Sequence, residues 1–246
     1  VEFDLGDIFT DFFGGGRGRK SGRNRTGEDI QMEITIDFDE AAFGTKKTVE
    51  LYKSVTCDTC KGNGAKPGTP IKTCHTCKGH GSIEQMQRSV FGAVRRHVVC
   101  SDCHGEGKIP ETKCTDCHGN GVTKKNTTLE VDIPAGIDNQ QTLRMSGQGE
   151  AGVLGASAGN LFVTVRVRPH AGWQRDGDDV VSHISVPYTT MVLGGKVQAT
   201  TLDGEVEVKV PAGTESGKAL RLRGKGVPHL QSSGRGDHIL VVDVLI

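Results

Sequence analysis

Eight cysteines fall into four repeats of one form, Cys-x-x-Cys-x-Gly-x-Gly, and no other feature restricts the fold of this chain so tightly. They read Cys57-Asp-Thr-Cys60-Lys-Gly62-Asn-Gly64, Cys74-His-Thr-Cys77-Lys-Gly79-His-Gly81, Cys100-Ser-Asp-Cys103-His-Gly105-Glu-Gly107 and Cys114-Thr-Asp-Cys117-His-Gly119-Asn-Gly121. Two cysteines separated by two residues can place both sulfurs on one ion, and four thiolates complete a tetrahedral zinc site. The glycines let the chain turn sharply and leave backbone amides free to point at the sulfurs, where such donors stabilise the negative charge. The expectation is two structural zinc ions per chain. His75, His80, His104 and His118 lie among the repeats, but complete thiolate quartets leave them no coordination position, so they are expected at the surface. A closed four-thiolate site also leaves no position for an activated water, which argues against an enzyme. Thiol–disulfide exchange at the Cys-x-x-Cys pairs is the alternative.

Composition supports this reading of the cysteines. The sequence shows no export signal and no run of eighteen apolar residues, so the cysteines read as metal ligands rather than a disulfide framework, with a cytoplasmic location and no membrane partner. Lys+Arg and Asp+Glu are both 30, a balance that disfavours the second alternative, a zinc-dependent nucleic-acid-binding module. The 35 glycines among 246 residues point to many tight turns. The chain opens on Val1 and stops after an apolar run at Ile246, as a piece of a longer protein would.

Residues 1–29 are low in complexity: Phe3, Phe9, Phe12 and Phe13 precede Gly14, Gly15, Gly16 and Gly18 among arginines. Such a stretch buries too little surface to offset its ordering entropy and reads as a Gly/Phe-rich linker. Transient docking of Asp7-Ile8-Phe9 is the functional alternative. Strand signals begin at Ile30, where Ile30, Met32, Ile34, Ile36 and Phe38 alternate with polar residues. Glu40-Ala41-Ala42-Phe43-Gly44 reads as one helical turn closed by glycine, and residues 47–51 resume as strand.

The chain also repeats itself. Residues 27–46 match residues 177–196 at an offset of 150, and residues 133–163 match residues 210–240 at an offset of 77. Where the offset changes, the second copy carries Leu202-Asp203-Gly204-Glu205, and Asp-Gly between apolar alternations is a hairpin signal. The first copy holds the whole cysteine segment at that place. The predicted fold is therefore mainly β, with two tandem, similar β-sandwich-like domains at residues 30–168 and 169–246. An elongated two-zinc module, residues 55–125, is inserted in the first, and residues 169–172 form the junction. His170, Trp173, Asp176 and Asp178 near that junction read as turn and packing residues, and no catalytic constellation stands out.

Spacing alone allows sequential or nested pairing of the repeats. Nesting suits an insertion whose ends leave and re-enter a sheet side by side. It joins Cys57, Cys60, Cys114 and Cys117 on the first zinc, and Cys74, Cys77, Cys100 and Cys103 on the second. Residues 82–99 then become a hairpin with its bend near Phe91-Gly92.

Four such repeats, inserted in the first of two similar β domains behind a Gly/Phe-rich segment, resemble class A of the DnaJ heat-shock co-chaperone family over essentially the whole chain. The resemblance implies structural zinc, nested pairing, and β domains that bind unfolded polypeptide clients for a DnaK-type ATPase chaperone. It also implies a client groove on the first β domain, where a peptide adds as a strand and drops an apolar side chain into a pocket. By motif position that pocket is Ile30, Val49, Leu51, Leu129 and Val163, although alternating apolar residues also arise from core-facing strands. Val180 and Ala199 stand at the positions of Ile30 and Val49 in the second copy, so a shallower, weaker site is expected there. The resemblance links the second zinc site to the DnaK-type partner, and Arg88, Arg95, Arg96 and His97 make the neighbouring hairpin basic. The family's J domain with its His-Pro-Asp motif and its C-terminal dimerisation helix lie outside this sequence. This stretch alone is therefore expected not to stimulate a partner's ATPase, with homodimer formation belonging to the full-length protein.

Overall fold

The structure is a computed structural model that describes residues 26–89 and 92–246. The expected linker up to Arg25, the Asp7-Ile8-Phe9 motif and Phe91 at the expected bend lie outside those residues.

Chain contacts divide the protein into two compact units. One gathers both β domains in residues 28–54, 124–150 and 158–246; the other contains the cysteine arm, residues 55–123, together with residues 151–157. In the first β domain, β1 (Ile30–Ile36) leads into the short helix α1 (Phe38–Phe43) and then into β2 (Thr45–Thr56). The helix starts at Phe38 because Asp37 and Glu40 form a capping box, in which the Glu40 carboxylate accepts the Asp37 N–H at 3.0 Å. It ends because Gly44 turns at φ 78, where an added Cβ would sit 2.9 Å from the Ile133 carbonyl.

Within the arm lie β3 (Ile71–Thr73), β4 (Ser82–Ser89), β5 (Gly92–Val99) and β6 (Lys108–Pro110). The chain then returns through β7 (Val122–Ile133), β8 (Thr142–Met145) and β9 (Leu161–Val167). One sheet of the first sandwich has the order β1-β9-β8, and β2 pairs with β7 as the facing ribbon. β1 and β9 run parallel with Ile30 opposite Leu161. Ile36, Val49, Val131, Ile133, Leu161, Val163 and Val165 fill the space between the sheets.

The second sandwich repeats this plan with β11 (Asp179–Pro187), helix α2 (Tyr188–Leu193), β12 (Gly195–Thr201), β13 (Gly204–Val210), β14 (Ala219–Leu222) and β15 (His238–Leu245). β11 and β15 are parallel neighbours, and β12 and β13 form the facing ribbon. At the place where the first copy holds the arm, Thr201 pairs with Gly204 across the two residues Leu202 and Asp203. The Gly204 φ of 104 suits glycine at this turn. A strand that the alternation pattern does not reveal, β10 (Trp173–Asp176), forms a hairpin onto β11. It is only four residues long, too short for its periodicity to stand out.

The two sandwiches share a packed boundary. Phe38 and Ala42 of α1 are buried against Val180, Leu202 and Val227, with Trp173 packed alongside. Arg175 donates to the carbonyls of Ile137 (2.5 Å), Gly136 (2.8 Å) and Gly177 (2.7 Å), tying β10 to the turn after β7. His170 stacks on Trp173 at 4.2 Å, in keeping with the packing role expected for this junction.

His238 is fully buried, its Nε2 2.7 Å from Ser182 Oγ, and burial pushes the imidazole below its ordinary value of 6.5. An unfolded chain takes up a proton here that the fold resists. Stability is therefore fully present above pH 6.5 and is lost as pH falls from there toward the depressed folded value, by at most about 1.4 kcal/mol per pH unit. Urea unfolding followed by Trp173 fluorescence should show a lower midpoint at pH 5.5 than at pH 7.5. His238→Leu, which installs the residue found at Leu161 in the first sandwich, should remove most of that difference.

Candidate metal centres

The structure gathers the eight cysteines into two quartets, Cys57, Cys60, Cys114 and Cys117, and Cys74, Cys77, Cys100 and Cys103, each with its sulfurs within 4.8 Å of one another. All eight are buried. Across partner repeats the Sγ atoms of Cys57 and Cys114 are 4.0 Å apart, those of Cys60 and Cys117 3.6 Å, those of Cys74 and Cys100 3.9 Å, and those of Cys77 and Cys103 3.6 Å. A disulfide needs about 2.05 Å. Sulfurs about 2.3 Å from a tetrahedral zinc lie roughly 3.8 Å from each other, so the donor set fits two structural zinc ions.

Each quartet is assembled by exchange between two repeats. The Cys57 N–H donates to the Gly121 carbonyl and the Cys114 N–H to the Gly64 carbonyl, both at 2.9 Å. In the second quartet the Cys74 N–H reaches the Gly107 carbonyl at 2.8 Å and the Cys100 N–H the Gly81 carbonyl at 3.0 Å. Within each repeat the final glycine N–H donates to the second cysteine: Gly64 to Cys60 Sγ at 3.3 Å, and Gly81, Gly107 and Gly121 to Cys77, Cys103 and Cys117 at 3.2 Å. The amide-to-thiolate contacts expected from the glycine spacing are therefore present.

Glycine has a second duty here that spacing does not reveal. An added Cβ on Gly81 would lie 2.4 Å from the Gly105 carbonyl oxygen, and one on Gly107 2.3 Å from that of Gly79. The first quartet repeats this arrangement, Gly64 against the Gly119 carbonyl at 2.4 Å and Gly121 against that of Gly62 at 2.3 Å. Partner repeats thus interlock at van der Waals contact. The residue after each second cysteine adopts a left-handed conformation, φ 52 at Lys61, 51 at Lys78, 50 at His104 and 53 at His118. His75, His80, His104 and His118 are all exposed and lie outside both quartets.

The backbone N–H of Cys60 and then that of Thr59 bring the Cys57 thiol down to about 7, and those of Cys77 and Thr76 do the same for Cys74. Burial pushes Cys103 and Cys117 up to about 11. Four buried thiolates repel one another, so a divalent cation is what makes full ionisation of the quartet favourable. When bound, zinc supplies charge neutralisation and a cross-link between repeats.

Two polar contacts were missed at the sequence level. Thr59 Oγ1 donates to Asp116, and Thr76 Oγ1 to Asp102, across each pair of repeats. The signal was present: the first two repeats carry Thr before their second cysteine and the last two carry Asp. Thr-to-Asp matching disfavours sequential pairing.

The five residues expected to line a client pocket all belong to, or pack against, the core of the first sandwich. Ile30 opens β1, Val49 and Leu51 lie on β2, Leu129 on β7 and Val163 on β9. Val163 is fully buried and Val49 nearly so; Ile30, Leu51 and Leu129 are half-buried at the margin. Lys53 continues the inward line of β2, its Nζ against the carbonyls of Gln148 (2.5 Å) and Gly149 (3.3 Å).

Residues 25–246 match the family model described as DnaJ C terminal domain, and the chain belongs to that family. Relatives bearing the name Chaperone protein DnaJ include those of Halalkalibacterium halodurans, 44% identical over 97% of this chain and 65% of the relative, and Oceanobacillus iheyensis, 44% over 97% and 64%. That of Staphylococcus aureus is 44% identical over 98% of this chain and 63% of the relative. The chain thus spans a little under two thirds of the length of these relatives. Among the described residues no helix is long and apolar enough to cross a membrane.

Gly81→Ala should break the second quartet and spare the first, because the methyl group meets the Gly105 carbonyl and φ 74 disfavours any side chain. Zinc content by mass spectrometry of the native chain should fall from two ions to one. The exposed His104→Ala should leave it at two.

Proposed function

We propose that this chain is the client-holding part of a DnaJ-type co-chaperone, binding unfolded polypeptide by strand addition and passing it to a DnaK-type ATPase partner. The observation that carries the reading is an open sheet margin over an apolar cluster. Among the described residues β2 pairs with β7 alone and β1 with β9 alone, so each has one edge with no neighbouring strand. Beneath them lie Ile30, Val49, Leu51, Leu129 and Val163, which we assign as the client pocket. Backbone hydrogen bonding accepts many sequences, and the pocket favours apolar side chains.

Cys57, Cys60, Cys114 and Cys117 are assigned to one zinc, and Cys74, Cys77, Cys100 and Cys103 to the other. Neither quartet has a coordination position left for water, so the metal holds the arm in shape and the chain is not an enzyme. Arg95 and Arg96 are exposed on β5, where they offer a positive surface to the ATPase partner. Action in the cytoplasm and homodimer formation by the full-length protein complete the proposal.

Replacing Ile30 and Leu51 together by serine removes two apolar side chains at the pocket margin. Capture of a permanently unfolded protein, measured by suppression of its aggregation, should weaken roughly tenfold or more while two zinc ions stay bound. Unchanged capture would reject the pocket. After zinc chelation, tight salt-dependent RNA binding without aggregation suppression, or insulin reduction, would favour the alternative functions.

A further inference from the structure

The second sandwich has a groove of about 410 Å³ between β11 and β12 that the proposed function does not use. Its wall and floor include Trp173, His170, Ser182, Ile184, Ala199 and Leu240. The repeat offsets place it on the first sandwich's pocket: Ser182, Ile184 and Ala199 stand where Met32, Ile34 and Val49 do, and Leu240 stands at Val163. β12, like β2, is paired on one side only among the described residues. The backbone geometry that would receive an added strand is therefore repeated.

The chemistry of the floor is not repeated. Met32 and Leu161 in the first sandwich are both apolar; Ser182 and His238 replace them in the second. Ser182 Oγ lies 2.7 Å from His238 Nε2, and His238 Nδ1 is buried without a protein partner. A buried N–H left unpaired costs more than an unpaired acceptor, so the proton belongs on Nε2, donating to Ser182. The serine hydroxyl then keeps its own hydrogen to donate into the groove. Above it Trp173 and His170 form an aromatic wall, their rings stacked at 4.2 Å with 19° between planes.

We propose that this groove is a second polypeptide site with its own preference, for an extended segment carrying tyrosine, and that Ser182 determines that specificity. The tyrosine ring packs on the Trp173–His170 wall and its hydroxyl hydrogen-bonds to Ser182. An apolar side chain would leave the Ser182 hydroxyl hydrogen without an acceptor, although the oxygen still accepts from His238, whereas the first pocket carries no such penalty. The proposal rests on the strand-addition reading given above.

Trp173 is the single tryptophan and lines this groove, so a peptide seated there alters its surroundings and its fluorescence. Two short peptides differing only as tyrosine against phenylalanine at the centre should quench or shift it, the tyrosine peptide binding roughly threefold to tenfold tighter. Ser182→Ala should abolish the preference and Ser182→Thr should keep it, with thermal midpoints recorded for both. Equal binding, tighter phenylalanine binding or no Trp173 response would overturn the proposal. The Ile30→Ser, Leu51→Ser chain separates the two readings. If it loses client capture while Trp173 stays silent to both peptides, the first pocket stands and the second falls. If it keeps full capture and the tyrosine preference, the first-pocket assignment fails alone.

Discussion

The parallel pairing of β1 with β9 holds the first β domain together and explains how it can carry an arm. Parallel neighbours need a crossover connection, and this one contains α1, the β2–β7 ribbon and the whole cysteine segment. Its closing contacts are local: the Asp29 carboxylate accepts from the Asn160 backbone N–H at 2.6 Å, across 131 residues of sequence. The second sandwich has the same device, with Asp179 accepting from the Asp237 N–H at 2.6 Å. Loop-closure entropy rises only logarithmically with length, so the first crossover can be far longer than the second without forfeiting the strand pair.

Within the arm, order comes from contacts with no room to spare. A thiolate quartet needs four sulfurs within tetrahedral reach, and two repeats achieve this by swapping backbone hydrogen bonds at glycines that touch the partner's carbonyl. Any side chain at those glycines would push the repeats apart. Side-chain bonds from Thr59 to Asp116 and from Thr76 to Asp102 match each repeat with its partner. Metal and backbone thus restrain the same few residues.

Duplication gave the chain two sandwiches with one plan and different interiors. Lys53 in the first stands where Asp203 does in the second; the lysine binds carbonyls, whereas Asp203 accepts from Lys225 and Arg235. Where Glu33 pairs with Arg166 in the first sandwich, the second places His183 Nδ1 2.8 Å from the Asp243 carboxylate, so the acidic residue changes strands. Ser182 and His238 likewise replace an apolar pair. Such exchanges keep the backbone and alter the chemistry of each interior.

Much of this was legible in the residues. The cysteine repeats declared zinc because few other chemistries need Cys-x-x-Cys four times, and strand alternation with the broken repeat offset declared two sandwiches and an insertion. The glycine after residue 43 marked the end of α1 because its positive φ suits glycine and a Cβ there would meet the Ile133 carbonyl. Local rules of this kind depend on neighbours in sequence, and sequence contains them. The packing of α1 against Val180 and Val227, the Arg175 bonds to Gly136 and Ile137, and the Ser182–His238 pair join residues far apart in the chain. Their partners are chosen by how two sheets face each other, and only the tertiary structure decided that.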